Sequence, residues 1–390
     1  MSKSKLEKFA QIDFVLLSSV LALVIIGLVF VYSASSYKAE QAYGNSAHYL
    51  IQQIARVMVG LMMMIFVAMI DFKRWLEWAP IFYALSVFLL VLLFLPLPIV
   101  ATIKGASRWL RVGPITIQPS DFARYALVLV LARVLVSERR YLEDLNSYIK
   151  LLILVGAVAL LIALEPDLGT AMLTIFIAFG MFFFAEINGG FLLATILSSF
   201  SLGLVYILRN GYQLSRVHYF VNQFTEREFS WQVKQGLISF TQGGLLGKGL
   251  GSGQQKYDFL PEAHKDFILC VIGEEIGFIG TCLVLGLFLL VIIRGLRIAR
   301  QAPNGYGQLL AAGISLAIGL YAFMNAAVVL AIVPTTGIPL PFISYGGSAM
   351  VTNLAAVGIL LNISMQGSAS YERQVGWRTL QSRLKRPAFS

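Results

Sequence analysis

Long apolar runs, broken by short polar or basic connections, fill most of the chain. A helix needs about 20 apolar residues to cross the hydrocarbon core of a bilayer. Runs of that kind fall near 13–33, 50–70, 77–99, 120–137, 148–164, 169–186, 190–208, 266–294, 307–333 and 345–365. The fourth and fifth are the shortest, and only Glu186 to Gly189 separates the sixth from the seventh. The pattern predicts an all-α polytopic membrane protein with ten transmembrane helices. Residues 1–12 form a cytoplasmic N-terminus, 13–365 one transmembrane domain, 209–265 a large extracytoplasmic loop, and 366–390 a basic cytoplasmic tail. The first run follows Lys3, Lys5 and Lys8 as in a signal peptide, but no convincing cleavage site comes after it. It is expected to stay as the first helix.

Composition agrees with this picture. The chain of 390 residues is 58% hydrophobic and 13% charged, with mean hydropathy +0.77, which excludes an ordinary soluble domain. The net charge of +10 does not imply nucleic acid, because basic residues collect in the cytoplasmic connections of membrane proteins. Lys73, Arg74, Arg139, Arg140, Lys150, Arg294, Arg297 and Arg300 lie in the even-numbered connections. With the basic tails they put both termini in the cytoplasm. Cys270 and Cys282 share one run, about 18 Å apart on a helix, too far to pair.

The opposite face has two informative connections. Residues 100–119 carry Lys104, Arg108 and Arg111 where the charge rule disfavours them. A short translocated loop tolerates some charge; an outward-facing anion site would require it. In the second, "FSWQVKQGLISF" (229–240) alternates like an amphipathic helix lying on the bilayer surface. "GGLLGKGLGSG" (243–253) must be irregular backbone. Such a loop turns the chain, or cradles phosphate through its N–H groups. Asp266 opens the eighth run, and on an ideal helix Gly273, Gly277 and Gly280 fall within about 40° of it. Near water yet partly desolvated, Asp266 suits a general base. Glu274 and Glu275 lie deeper, either as packing groups or, for Glu275, as a supporting intramembrane acid.

"PTTGIPLPFISYGGSAM" (334–350) contains Pro334, Pro339 and Pro341, which forbid regular helix. Irregular backbone at membrane depth lines a cavity or is buried in protein. Ser344, Gly346, Gly347 and Ser348 open the tenth helix, where exposed N–H groups favour an anion or Ser serves as a plain cap. Asp167 is placed to cap the sixth helix, Ser120 to cap the fourth, and Asp121 falls in its first turn. His218 and His264 have no cysteine nearby, so no metal site is expected.

These residues together resemble a known family. "KGASRW" (104–109), "IQPSDFAR" (117–124), "PDLGTAM" (166–172), "FLPEAHKDFI" (259–268), "GEEIGF" (273–278) and "LPFISYGGSA" (340–349) have the order and spacing of the SEDS proteins (shape, elongation, division and sporulation). The resemblance implies a glycosyltransferase that polymerises lipid II at the outer face of the bacterial cytoplasmic membrane. It implies a class B penicillin-binding protein as partner, with other division or elongation membrane proteins. Asp266 matches the family's essential aspartate, the general base of the implied mechanism. Lys104, Arg108, Arg111 and Arg124 would face the lipid pyrophosphate, and Glu262, His264, Ser344, Gly346, Gly347 and Ser348 would line the same cavity. No cofactor is certain, with a divalent cation (Mg or Mn) left open. "QQKYDFLPEAH" and "VIGEE" lean toward the division member rather than the elongation member. Lys265 stands where Thr is usual, Asp121 where Glu is, and Glu165 where Gln is. A lipid II flippase, or a scaffold that only activates its partner, would also use broken helices and buried acids.

Overall fold

The computed structural model describes residues 12–103, 106–113, 115–137, 144–209, 211–225, 229–255, 257, 260 and 262–384. The helices are α1 (Phe14–Tyr43), α2 (His48–Met69), α3 (Phe72–Leu92), α4 (Pro119–Ser137), α5 (Leu145–Leu164) and α6 (Leu168–Phe184). They continue with α7 (Gly189–Arg209), α8 (Gly211–Thr225), α9 (Trp231–Gly243), α10 (Ile268–Gln301), α11 (Gly305–Val329) and α12 (Gly347–Leu384). Each apolar run expected to span falls on one helix. Among the described residues, eight helices are long and apolar enough to cross a membrane: α1, α2, α3, α5, α7, α10, α11 and α12.

The ends of these helices follow short-range chemistry. Asp13, Asp71, Asp144, Asp167 and Asn304 each cap a helix N-terminus by accepting from a backbone N–H of the first turn. Asp167 caps α6 as expected, accepting from Thr170 N at 3.2 Å. Ser120 does not cap α4: the helix begins one residue earlier, at Pro119, and the buried Ser120 hydroxyl has no partner among the described residues. Proline suits that first position because its missing N–H would have had no helical partner.

Burial separates the helices into two kinds. α4 is buried along nearly its whole length and packs against α3, α11, α12, α6 and α5. That setting tolerates Asp121 and Arg124 inside it. At the other extreme α7 buries only Thr195, while Leu197, Phe200 and Leu202 point away from the protein as lipid-facing side chains do.

The connection at 100–119 contains structure that the apolar pattern did not announce. β1 (Val100–Ile103), β2 (Ala106–Val112) and β3 (Ile115–Ile117) form an antiparallel meander in the order β1-β2-β3. Val100 pairs with Leu110, and Leu110 with Ile117. The β-branched residues of these short segments favour the extended backbone.

The amphipathic helix expected at 229–240 is α9. α9 packs along the start of α10, with Phe240 resting on Gly273. Residues 243–255 follow it down to Gly277, nine residues into α10, or roughly 14 Å at a 1.5 Å rise. There α10 breaks: Gly277 takes φ 69°, ψ −168°. The donors Phe278 N and Ile279 N, which a continuous helix would give to Glu274 O and Glu275 O, go instead to Gly244 O (2.9 Å) and Leu245 O (3.2 Å). The two freed carbonyls accept from Lys248 N and Gly249 N, each at 3.0 Å. The loop therefore repairs the helix it interrupts, as membrane depth requires. A Cβ on Gly277 would lie 2.3 Å from Gly247 N, and one on Gly247 2.2 Å from Glu275 O.

Candidate functional site

Residues 262–267 form a series of turns ahead of α10, opened by Glu262 in the left-handed region at φ 55°. Since α10 starts at Ile268, Asp266 lies outside the helix. It therefore does not share a helical face with Gly273, Gly277 and Gly280, and the break at Gly277 ends the register that such a face assumes. Gly273 and Gly277 admit α9 and the 243–255 loop instead.

Because no helical ladder holds this turn, its carbonyls are free for other partners, and three in a row are taken. His264 O accepts from Tyr345 N at 2.9 Å. Lys265 O accepts from Ser344 Oγ at 2.6 Å. Asp266 O accepts from Asn325 Nδ2 at 2.8 Å. The proline-rich segment 334–346 is thus fastened to the turn, and Ser344 Oγ also accepts from Leu340 N at 2.8 Å. Gly337, in the left-handed region at φ 70°, lies against the Asp266 carboxylate: a Cβ there would be 3.3 Å from Oδ2. Asp266 is itself partly exposed.

Lys265 forms an ion pair with Glu262, Nζ to Oε2 at 2.8 Å. The cation adjacent to Asp266 is therefore balanced within its own turn. His264 is buried between Tyr49 of α2 and Tyr345, with ring centroids 5.0 and 5.4 Å away. Arg56 of α2 covers the other ring, its guanidinium 4.4 Å from the Tyr345 centroid.

A second polar cluster adjoins the first. Ser348 Oγ donates to Asp121 Oδ2 at 2.7 Å and accepts from Gln118 N at 3.0 Å. Asn353 Oδ1 accepts from Arg124 Nη2 (2.9 Å) and from the Tyr125 hydroxyl (2.6 Å). Arg124 is 2% exposed and stacks on Tyr321 at 3.8 Å. A cavity of about 10 Å³ lies among Asp121, Arg124, Ser344 and Asn353, room for one water at most. Gly346 and Gly347 are half-exposed where α12 starts.

Of the basic residues expected to face an anion, Arg108 reaches across to the α5–α6 connection. Its Nε donates to Glu165 O at 2.8 Å, Nη2 donates to Pro166 O, and Nη1 lies 3.7 Å from Asp167 Oδ2. Burial, with Asp167 adding to it against Arg108, pushes the Glu165 carboxyl up to about 9. Arg111 is exposed on β2, and Lys104 lies outside the described residues.

Glu275 is not part of this assembly. It accepts from Ser33 Oγ at 2.6 Å and from Gly251 N at 2.9 Å. Glu274 accepts from Gln254 N (2.8 Å), Gln255 N (3.2 Å) and Lys248 Nζ (3.2 Å). The amides of the glycine-rich loop thus bind carboxylates of the protein. Among the described residues no group of three or more His, Cys, Asp or Glu side chains could hold a metal ion.

Sequence reasoning missed Arg56 and Asn325. Arg56 had a signal, as a charge inside the second apolar run. Asn325 had none, being one amide in "YAFMNAAVV".

Residues 14–369 match the family model described as "cell cycle protein", which groups FtsW, RodA and SpoVE. The probable peptidoglycan glycosyltransferase FtsW of Trichlorobacter lovleyi is 38% identical over 92% of this chain and 94% of its own. Stage V sporulation protein E of Bacillus subtilis is 36% identical over 90% and 96%. Among solved structures, a chain of a peptidoglycan synthase complex that coordinates polymerization and crosslinking is 25% identical, with a TM-score of 0.75 over 91% of this chain and 98% of that one. The rod shape determining protein RodA of Thermus thermophilus is 26% identical, with a TM-score of 0.68 over 90% and 96%.

Proposed function

The chain belongs to the cell cycle protein family of FtsW, RodA and SpoVE, and from that membership we propose that it is a peptidoglycan glycosyltransferase of septal wall synthesis. The relatives named FtsW, at 35–38% identity over nearly the whole chain, support this activity and the division role. In this reading lipid II is the substrate, and a class B penicillin-binding protein crosslinks the product. The likeness to a chain of a synthase complex supports such a partner. The enzyme works in the bacterial cytoplasmic membrane with ten spans, α4 and α6 joining the eight longer or more apolar helices. Both termini are cytoplasmic, and the site opens outward.

The single observation that carries the mechanism is Asp266, a partly exposed carboxylate whose turn is pinned by three backbone acceptors in succession. Asp266 removes the proton from the acceptor GlcNAc 4-hydroxyl. That oxygen bonds to C1 of the donor MurNAc as the C1–phosphate oxygen bond breaks, with inversion. The departing pyrophosphate takes the electron pair and is stabilised by cations. Arg111 and Lys104, on the same external connection, fit that part best, since Arg108 and Arg124 are already engaged with protein acceptors. Glu262 and His264 shape the turn beneath the sugars, and Ser344, Gly346, Gly347 and Ser348 form the floor beside it.

Purified protein with its partner and lipid II tests the reading. Asp266→Asn, which keeps shape and loses basicity, is expected to lower polymerisation by about 10²-fold or more. Full polymerisation by that variant would remove Asp266 as the base. Lipid movement across vesicles without polymer would make the protein a flippase.

A further inference from the structure

Asn325 lies in α11, four residues before its last, Val329, and is 1% exposed. Its Nδ2 donates to two carbonyls at once, Asp266 O and Ile338 O, each at 2.8 Å. The first belongs to the turn that carries the carboxylate. The second adjoins Gly337, the residue lying against Asp266 Oδ2. Both segments are irregular, so neither holds its own position through a ladder of hydrogen bonds. One amide on a rigid helix thus sets the spacing of the two strips of backbone that flank the carboxylate.

Ser344 Oγ and Tyr345 N hold Lys265 O and His264 O, but they come from the same irregular segment that needs holding. Asn325 alone of these three donors is built on a regular helix. We propose that Asn325 is a positioning residue for Asp266, fixing the carboxylate where the acceptor hydroxyl is presented. The inference rests on Asp266 being the general base. A misplacement of about 1 Å costs on the order of 10²-fold in rate, so a residue that never touches substrate acts on kcat.

Three variants of the full chain, assayed with the partner on lipid II, test it. Asn325→Leu, with the same branching at Cγ but a larger side chain, removes both bonds and is expected to lower kcat about tenfold or more while KM stays within about twofold. Asn325→Asp keeps shape but donates only when its carboxyl is protonated. Its activity is expected to fall as pH rises through the titration of that new carboxyl, a limb absent from the parent profile. If Asn325→Leu does not fold, the Asn325→Asp profile decides alone. A parent-like pH profile in Asn325→Asp, or a parent-like kcat in Asn325→Leu, overturns the proposal. Asp266→Asn, run alongside, separates the two readings. If it still polymerises, the assignment of the base fails. If it is inactive while both Asn325 variants match the parent, only the positioning role fails.

Discussion

Lys265 beside Asp266 looks from the sequence like a cation that would weaken a base. Its pairing with Glu262 at 2.8 Å answers the difficulty. Glu262 reaches that pairing from a left-handed backbone, a conformation that costs an L-residue about 1 to 2 kcal/mol. Residue-scale chemistry also marks Glu165, which is 3% exposed and has an unpartnered Oε1 among the described residues. Its carboxyl is held up at about 9 against 4.5 for the unperturbed group. The folded state therefore keeps a proton that the unfolded chain gives up. This stability is fully present below the lower value and is lost as pH rises toward the higher one. Glu165→Gln, which cannot ionise, should gain on the parent between those values, by up to about 1.4 kcal/mol per pH unit. Melting temperatures of both proteins in detergent across that range check it, and parallel curves would refute the burial argument.

At the scale of elements, the informative unit is the α9 segment with its glycine-rich loop wedged into α10. A broken helix at membrane depth must find partners for its freed backbone groups. Here the loop supplies them, and the Glu274 and Glu275 carboxylates in turn satisfy the loop's own amides. Glu275→Ala removes one acceptor from the Ser33 hydroxyl and one from Gly251 N. The expected cost is about 1 to 3 kcal/mol, mostly from the buried Ser33 hydroxyl, since Gly251 is exposed to solvent. Glu275→Gln, which keeps an acceptor, should lose less. Limited proteolysis at 243–255, read beside thermal unfolding, distinguishes loop release from global loss. Unchanged protection in Glu275→Ala would mean that the backbone pairs at Phe278 and Ile279 hold the loop unaided.

For the whole molecule, the proposed orientation rests on the charge of the connections, and a labelling experiment tests it. In a background of Cys270→Ser and Cys282→Ser, Asn45→Cys in the α1–α2 connection should react with an impermeant maleimide in intact cells. Lys73→Cys, at the start of α3, should react only after permeabilisation. Both positions are exposed, so accessibility reports sidedness rather than burial. The reverse pattern would invert the topology and put Asp266 on the wrong face for a substrate presented outside.

Apolar length, read by a solvent with only two phases, determined the positions of the long apolar helices in advance. Caps such as Asp167 were legible for the same reason, since their partners lie within one turn. The motifs also led to the proposal for Asp266, because a carboxylate near water yet partly desolvated suits a general base. Tertiary structure alone decided what surrounds it. The donors Asn325, Ser344 and Tyr345 come from positions 59 to 81 residues downstream, and no local periodicity encodes a hydrogen bond to an irregular turn. The same holds for the break at Gly277, where a single glycine reads as helix packing until the loop that needs it is seen in place. Long-range backbone pairing depends on where two irregular segments meet, and only the folded packing of α9, α10, α11 and α12 fixes that meeting point.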